Sequence, residues 1–356
     1  MKARLGGKAG GGRTGASARP GFLAALALAG ILAGCEDAIL PEGPGTGAIQ
    51  NFEFVWDEMD RHYSLFRIKG VDWDSAYAEF RPQVEGTTSP SDLFHLLAGM
   101  LDGLEDGHVK LESPNWTHTY DEWYKSYRHN FNWPYIWNQQ ILNRGTTPTG
   151  RFHFGWITFN IGYIHIPSFA GGGWAHEVDT VLERLSGIQA LIVDIRDNTG
   201  GSDRNAERVA GRFARERTLY RRIQYRNGPG HDDFTPLEDD YLEPRGASRF
   251  HGPLAVLTNR RTFSAAESFV LAMRAVPGAV QVGDNTGGGS GNPFPREMPN
   301  GWTFTISRWI EWAPDGTTHE GRGFAPDIPA FIPEDGLGYT DPILRAAVQH
   351  LIREIS

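Results

Sequence analysis

Two short, continuous apolar runs constrain the fold of this chain more than any other feature of its sequence. The runs are Ala190–Ile195 and Leu254–Thr258, and each is followed by a segment with helical spacing. Such runs are typical of strands that are buried on both faces of a sheet. Strands that alternate with helices predict an α/β core, which we expect to occupy residues 151–356.

The other elements are predicted from the same periodicities. Further core strands are predicted at 161–166, 280–283 and 302–312, and core helices at 174–185, 205–217, 264–275 and 341–355. Residues 50–107 differ, because their apolar residues keep helical spacing throughout. Ser89 and Pro90 mark the start of the last of three helices. We therefore predict a small N-terminal helical domain over 50–107.

The first 34 residues have the features of a targeting segment. They contain five basic residues and no acidic one, and their apolar run, Phe22 to Leu32, is too short to span a bilayer. The run leads to the only cysteine of the chain, Cys35, in a Leu-Ala-Gly-Cys pattern that resembles the lipobox of bacterial lipoproteins. We expect a signal peptide over 1–34, a lipid anchor on Cys35 and a flexible tether over 35–49. An ordinary signal peptide with an incidental cysteine is the alternative.

The charge of the chain limits its partners. Removing the five basic residues of the targeting segment from a total of 34 leaves 29 against 43 acidic residues, a formal charge of −14. This argues against binding nucleic acid, or an anionic membrane surface, through bulk charge. We expect a protein of the bacterial cell envelope, attached through its lipid and facing the periplasm or the exterior.

Residues 108–150 are unusually aromatic. The residues concerned are Trp116, Tyr120, Trp123, Tyr124, Tyr127, Phe131, Trp133, Tyr135 and Trp137. We interpret the segment as a packed connector or lid, and a platform that binds sugars or peptides is the alternative.

Ser264 lies where a buried strand is expected to give way to a helix. A hydroxyl group at that point is held on rigid backbone, beside the unpaired amides and the positive end of the helix. Those amides can stabilise an oxyanion. The alternative is that Ser264 only caps the helix. Asp194–Gly201 follows the other buried strand, and its two glycines permit a tight turn close to a ligand; a plain connecting loop is the alternative.

Two further segments offer a base and an acid. His108 precedes a short strand, and histidine is the usual general base near neutral pH. Glu320 follows a predicted turn and could orient such a base. The alternatives are a structural His108 and a surface Glu320, with Asp106 as another candidate acid and Lys110 as another candidate base.

Together these segments resemble, in their order, the family of C-terminal-processing and tricorn-type serine peptidases. The matching stretches are Asp106–His108 (DGH), Gly162–Phe169 (GYI…SF), Asp194–Gly201 (DLRxNxGG), Thr262–Glu267 (TxSAAE), Gly283–Gly289 (GxxTxGxG) and Glu320–Asp327 (ExxGxxPD). The likeness covers roughly residues 50–335.

The resemblance implies a crotonase-like (ClpP/crotonase) α/β core and a peptidase that needs no metal or other cofactor. Ser264 would be the nucleophile, His108 the base, and Glu320 the acid that orients His108. The backbone amides expected to bind the oxyanion are those of Gly200, Gly201 and Ala265. The expected substrates are peptides or unfolded proteins.

The sequence departs from the family pattern in three ways. Many members carry a catalytic lysine where this chain has Gly289, and no lysine follows Lys125, so the resemblance favours Ser-His-Glu over Ser-Lys. Tricorn-type members place a serine before the histidine, where this chain has Gly107. The stretch between His108 and Ile161 is too short for the PDZ-type domain usual in the family, so we expect a PDZ-less member.

Three other functions are compatible with the same residues. The chain could bind peptides or lipids on this fold without cleaving them, or bind glycans through residues 113–150 with the core as a scaffold. A crotonase-type acyl-CoA enzyme has a similar fold, but the export signal argues against it because CoA thioesters are cytoplasmic.

Overall fold

The computed structural model describes residues 46–331 and 340–356. The predicted signal peptide, Cys35 and residues 35–45 of the predicted tether lie outside these ranges. The described residues belong to a single structural unit. Within them, no helix combines the length and the apolarity needed to cross a membrane.

The N-terminal part of the described chain is helical, as predicted. Its helices are α1 (Ala48–His62), α2 (Phe66–Lys69), α3 (Trp73–Phe80) and α4 (Pro90–Asp102), with a 3₁₀ turn at Arg81–Gln83. Ser89 caps α4, because its side chain accepts the backbone amide of Asp92. The four-residue helix α2 was not predicted, and it ends at Gly70, whose φ of 66° suits glycine.

The aromatic segment forms short elements. They are β1 (Lys110–Glu112), β2 (Thr117–Thr119), α5 (Glu122–Lys125), α6 (Trp133–Tyr135), a π-helical turn at Ile136–Gln140, and β3 (Leu142–Thr146). Many of the aromatic rings pack on neighbours: Trp133, for example, lies 4.1 Å from the ring centre of His165 and 5.2 Å from that of Trp137. These contacts favour the packed connector over an open platform.

The remaining residues alternate between strands and helices. The elements are β4 (His153–Thr158), β5 (Ile161–His165), α7 (Glu177–Arg184), β6 (Ala190–Asp194), α8 (Asp203–Ala210), β7 (Thr218–Tyr225), β8 (Glu238–Leu242), β9 (Leu254–Thr258), α9 (Ala265–Arg274), β10 (Ala279–Gly283), β11 (Phe294–Glu297), β12 (Thr303–Ile306), β13 (Trp309–Trp312), β14 (Ile328–Pro329) and α10 (Pro342–Ile355).

A seven-stranded sheet in the order β14-β10-β9-β6-β5-β4-β3 forms the centre of the fold. Its strands from β14 to β5 are parallel, and β4 and β3 are antiparallel. Along β6, Leu191 and Val193 pack into the core that includes α8 and α9, whereas Ala190 and Ile192 pack into the core that includes α10. The two apolar faces explain the continuous apolar run, and they confirm the predicted α/β core.

The predicted strand over 302–312 is two strands in two different sheets. Strand β12 belongs to the sheet β11-β12-β1-β2, and β13 to the sheet β13-β7-β8. The chain leaves the first sheet at Ser307 and Arg308, because the Ser307 carbonyl accepts the amide of Ser64 and the Arg308 amide donates to Gly291. Strands β7 and β8 were not predicted, and the predicted helix over 205–217 ends at Ala210.

Candidate active site

The loops that follow β6, β9 and β10 meet at one edge of the large sheet. Parallel strands end at the same edge, and the crevice beyond their carboxyl ends is the usual position of a site in α/β folds. Backbone hydrogen bonds join the three loops: the Phe263 amide donates to Asn198 (3.1 Å), and the Ser264 amide donates to Gly289 (3.1 Å). Three of the sequence segments that carry the family resemblance are therefore in contact.

Ser264 has a strained backbone at the turn between β9 and α9. Its φ is 59° and its ψ is −130°. For a residue other than glycine such a conformation costs about 1–3 kcal/mol, and it persists only where the surroundings enforce it, often at functional sites. The side chain is half-buried at the first turn of α9. The structure thus confirms the prediction that Ser264 lies at the start of a helix.

Glu267 holds this turn to the loop after β10, a role that our sequence analysis missed. Its buried carboxylate accepts the amides of Ser264 (3.2 Å), Gly288 (2.8 Å) and Gly289 (2.8 Å), and the hydroxyl of Thr286 (2.5 Å). Burial raises the pKa of Glu267 to about 8, against the opposing effect of these hydrogen bonds. The signal was present in the sequence, because a Glu three residues after a helix-capping Ser is the capping-box pattern.

His108 lies against the same two residues as Ser264. Its ring stacks on Phe263, the residue before the serine, with ring centres 4.5 Å apart. A Cβ atom on Gly289, whose carbonyl accepts the Ser264 amide, would lie 3.3 Å from Cε1 of the ring. Both ring nitrogens of His108 are buried without a hydrogen-bond partner in the described structure. The predicted base and nucleophile are thus brought to one place.

The structure explains why Gly289 replaces the lysine of many family members. A Cβ atom at this position would lie only 2.2 Å from the ring of Phe263. Phe263 is itself confined, because the rings of His108 and Trp123 both stack on it. A lysine side chain therefore has no room here while these rings keep their places.

The carboxylate beside His108 is that of Asp106. Its Oδ1 lies 3.5 Å from Nδ1 of His108 and accepts the backbone amide of the same residue (2.8 Å). Its Oδ2 accepts the hydroxyl of Ser307 (2.8 Å). Burial would raise the pKa of Asp106, but His108 and the charge of Lys69 outweigh burial and lower it.

Glu320 is buried nearby but is not paired with His108 in the described structure. Its Oε2 accepts the amide (2.7 Å) and the hydroxyl (3.2 Å) of Ser290, the residue after Gly289. Its Oε1 lies 3.3 Å from the ammonium group of Lys69. Glu320 therefore supports the loop that borders His108, whereas the expectation was direct orientation of the ring.

Neither lysine of interest is placed as a base. Lys110, the candidate from the sequence, is paired with Glu112 on β1 (2.5 Å) and its side chain is 42% exposed. Lys69 was not considered in the sequence analysis. Its side chain, which is 9% exposed, reaches the site from α2, and its ammonium group is paired with Glu320.

The predicted oxyanion-binding loop packs directly on the serine turn. A Cβ atom on Gly200 would lie 2.7 Å from Cβ of Ser264 and 2.8 Å from the amide nitrogen of Ala265. The Gly200 amide, however, donates to the side chain of Asn198 (2.9 Å). No hydrogen bond from the amides of Gly201 and Ala265 is found in the described part of the chain. Of the two glycines, Gly201 is therefore the one with an amide available to a ligand.

Trp123, from the aromatic segment, closes one side of the site. Its ring stacks on Phe263, with centres 4.2 Å apart. A Cβ atom on Gly107 would lie 2.6 Å from its Nε1, and one on Gly287 would lie 2.5 Å from its ring. Gly107, where tricorn-type proteins have a serine, thus makes room for Trp123.

Comparisons with known proteins identify the family of the chain. The model of peptidase family S41 matches residues 160–330, and that of the tricorn protease C1 domain matches residues 48–102. The carboxy-terminal processing protease CtpA of Bacillus subtilis is 25% identical over 197 residues, which are 54% of this chain and 40% of that protein. The tail-specific protease of Haemophilus influenzae is 34% identical over 137 residues, which are 36% of this chain and 17% of that protein. The chain thus matches less than half the length of either relative.

Solved structures extend the likeness to most of the chain. The crystal structure of a putative peptidase from Parabacteroides merdae is 35% identical, with a TM-score of 0.80, and the match covers 86% of this chain and 98% of that one. Mature CPAF, at 12% identity and a TM-score of 0.65, shares the fold over 86% of this chain and 95% of its own. The described architecture, the order of the sequence segments and these matches show that the chain belongs to peptidase family S41.

Proposed function

We propose that this chain is an extracytoplasmic serine peptidase that cleaves peptides or the C-terminal regions of proteins through an acyl-enzyme on Ser264. The observation that supports this most strongly is the joint contact of Ser264 and His108 with Phe263 and Gly289. A serine with a strained backbone at a helix start, a histidine beside it and a carboxylate 3.5 Å from Nδ1 of that histidine are the components of a catalytic triad. The names of the relatives, a carboxy-terminal processing protease and a tail-specific protease, support the substrate class.

In the proposed reaction, Oγ of Ser264 attacks the carbonyl carbon of the scissile peptide bond, and its proton passes to His108. The C–N bond then breaks, and His108 returns the proton to the leaving amine. Water next attacks the acyl ester, giving a proton to His108 that restores the hydroxyl of Ser264 as the new carboxyl terminus leaves. The amides of Gly201 and Ala265 would stabilise the oxyanion in both steps.

We assign different roles to the two buried carboxylates. Asp106 would orient His108 and stabilise its imidazolium form, because it is the carboxylate 3.5 Å from Nδ1. Catalytic hydrogen bonds are often long in unliganded structures and shorten with substrate. Glu320 would keep Ser290 and Gly289 in place through its two hydrogen bonds to Ser290.

The proposed location rests on the N-terminal sequence alone. The lipobox-like pattern at Cys35 supports a lipid-anchored protein of the cell envelope. Mass spectrometry of the protein from a bacterial host should show an acylated Cys35 as the first residue. An intact N-terminus at Met1 would contradict this part of the proposal.

Labelling with a fluorophosphonate probe tests the nucleophile. The wild-type protein should be labelled at Ser264 and should cleave unfolded protein substrates. Ser264→Ala should lose both properties, while the matched control Ser248→Ala, at a surface serine that contacts Glu183, should keep both. A folded wild-type protein that is neither labelled nor active would favour a protein that binds peptides without cleaving them.

A further inference from the structure

A small basic cleft lies beside the turn that carries Ser264. It has a volume of about 200 Å³, and its walls come from residues 124–130 of the aromatic segment and from residues 259–261, which follow β9. Among the described residues, its lining contains no acidic side chain and four lysine or arginine side chains: Lys125, Arg128, Arg260 and Arg261. The whole chain carries a formal charge of −9, so this local excess of positive charge does not follow from the composition. The cleft is therefore suited to a negatively charged ligand.

The backbone fixes two of these arginines close to the nucleophile. Arg260 and Arg261 are the central residues of a tight turn, which is closed by a hydrogen bond from the Thr262 amide to the Asn259 carbonyl (2.9 Å). The hydroxyl of Thr262 also donates to a carbonyl in the loop after β6 (3.0 Å). The Cα atoms of Arg261 and Ser264, three residues apart, are separated by at most about 11 Å. A substrate bound at Ser264 can therefore reach the cleft.

A row of aromatic rings connects the cleft with the candidate active site. Trp123, which stacks on Phe263, lies with its ring centre 4.7 Å from that of Tyr124. The guanidinium group of Arg261 lies over the ring of Tyr124, 4.6 Å from its centre. Stacking on an aromatic face holds a guanidinium group in place and leaves its edge free to donate hydrogen bonds. The position of Arg261 is thus tied to the wall of the active site.

The hydrogen-bonding capacity of both guanidinium groups is largely unused. In the described part of the chain, the side chain of Arg261 makes no hydrogen bond or ion pair, and only its backbone amide donates, to Asn259. Nε of Arg260 is buried without a partner there, and it lies 3.7 Å from the carboxylate of Asp284, beyond hydrogen-bond distance. The guanidinium group of Arg260 lies over the ring of Tyr127, 3.9 Å from its centre. Since arginine can donate five hydrogen bonds, both groups can accept a ligand.

Two acidic residues near the cleft have other partners. The carboxylate of Asp197 lies 2.7 Å from Nε2 of His129 and accepts a hydrogen bond from the side-chain amide of Asn259 (2.8 Å). Asp121 is paired with Lys125 (2.6 Å). Neither carboxylate therefore occupies the two guanidinium groups of the turn.

We propose that Arg260 and Arg261 form a specificity subsite that binds a carboxylate group of the substrate. The carboxylate is either the side chain of an acidic residue or the C-terminus of the peptide, and both offer the two oxygens that a guanidinium group binds in a planar, bidentate geometry. The span from Arg261 to Ser264 places this carboxylate about three residues from the scissile bond. The inference rests on the function proposed above, because it names a group that the peptidase would select.

The test is the cleavage of matched peptides built around one bond that the wild-type protein cleaves in unfolded β-casein. One pair ends three residues after the bond, with a free or an amidated C-terminus. The other pairs are longer and amidated, with Glu or Gln three residues before or after the bond. In at least one pair, the peptide with the carboxylate should have a KM lower by about 10-fold or more, as expected for hydrogen bonds to a charged group. The pair that shows the difference identifies the source of the carboxylate.

Arg261→Gln should remove this difference and leave kcat for the neutral peptides close to the wild-type value. Arg261→Glu should invert the preference, so that a peptide with Lys at the selected position is cleaved better than one with Glu, a gain that misfolding cannot produce. Arg217→Gln is the matched control, because the guanidinium group of Arg217 also lies over a tyrosine ring, that of Tyr241, but is paired with Glu243. It should keep the wild-type preference. A wild-type protein without any preference, or an Arg261→Gln variant that slows all peptides equally, would overturn the inference.

Binding measurements separate this inference from the proposed function. In the Ser264→Ala protein, fluorescence anisotropy gives the Kd of labelled ten-residue alanine–serine peptides, with or without one Glu and with a free or an amidated C-terminus. If the wild-type protein cleaves nothing but Arg261→Gln weakens the binding of the carboxylate peptides alone, the proposed function fails and the subsite stands. If the wild-type protein cleaves β-casein without a preference for a carboxylate, the function stands and the subsite is wrong. An inactive protein whose binding does not depend on Arg261 would contradict both.

Discussion

The imidazole ring of His108 stacks on the phenyl ring of Phe263, with ring centres 4.5 Å apart and planes inclined by 26°. Phe263 immediately precedes Ser264, so the residue next to the nucleophile also supports the base. Trp123 stacks on the same phenyl ring. The relative position of base and nucleophile therefore depends on one apolar side chain that takes no part in the chemistry.

Phe263→Leu should lower kcat/KM by about 10- to 100-fold, because small displacements of catalytic groups cost rates of this order. Loss of the buried ring should also lower the free energy of unfolding by about 1–3 kcal/mol. Steady-state kinetics and thermal unfolding measure the two effects. Phe213→Leu, at another buried position in the core, should reduce stability without reducing kcat/KM. Equal kinetic losses in both variants would show that Phe263 acts only through stability.

Gly289→Ala should reduce both activity and stability, because its Cβ would lie 2.2 Å from the ring of Phe263. Gly289→Lys should be at least as damaging, although it restores the residue found in Ser-Lys members of the family. Gly86→Ala is the control, since a Cβ there meets nothing within 4 Å. An active Gly289→Lys enzyme would contradict this account.

Asp106, the carboxylate beside His108, should contribute more to kcat than Glu320. Asp106→Asn should lower kcat by about 10²–10⁴-fold, as expected for the acid that orients a catalytic histidine. Glu320→Gln keeps the shape of the side chain, so its loss in kcat should be the smaller of the two. Kinetics of the two folded variants compare them directly. A larger loss for Glu320→Gln would support the original sequence-based assignment, in which Glu320 orients His108.

The sequence predicted those elements whose bounds depend on residues close together in the chain, such as strand β9 and the start of helix α4. Strand β9 has its predicted bounds, Leu254–Thr258, because it is apolar on both faces. Helix α4 starts at its predicted cap, because Ser89 and Pro90 act within one turn. The α/β core followed from the alternation of strands and helices, and the parallel strands of such a core bring the loops at their carboxyl ends to one edge.

Long-range contacts determined the rest. The alternation of apolar and polar residues that begins at Trp302 breaks at Arg308, but our sequence analysis treated 302–312 as one strand. Contacts of Ser307 with Ser64 and Asp106, far away in sequence, accompany the division into two strands. Lys69 lies on a four-residue helix with no periodic signal of its own. Trp123 could be recognised as part of an aromatic-rich segment, but its position over Phe263 depends on the tertiary structure.

Acid should destabilise the protein below about pH 6.5, in part through His165. This residue lies on β5, and both its ring nitrogens are buried without a hydrogen-bond partner in the described structure. Burial lowers its pKa to about 4. Between pH 6.5 and 4 the unfolded chain therefore binds a proton that the folded chain does not, so the free energy of unfolding falls as the pH falls through this range. The difference between the ordinary pKa of histidine and the pKa of His165 in the folded protein corresponds to at most about 3 kcal/mol in the free energy of unfolding.

His165→Phe should remove this part of the pH dependence. The phenyl ring fits among the neighbouring Phe131 and Trp133, and the substitution breaks no hydrogen bond found in the described structure. Urea unfolding at pH 7 and pH 4.5 measures the effect: the variant should lose less stability on acidification than the wild-type protein. His251→Gln, which removes an exposed imidazole, should lose as much as the wild-type protein. If His165→Phe loses as much stability on acidification as the wild-type protein, His165 does not contribute to acid unfolding. The pH dependence of stability must then come from other groups. One such group is His319, because burial also lowers its pKa to about 4.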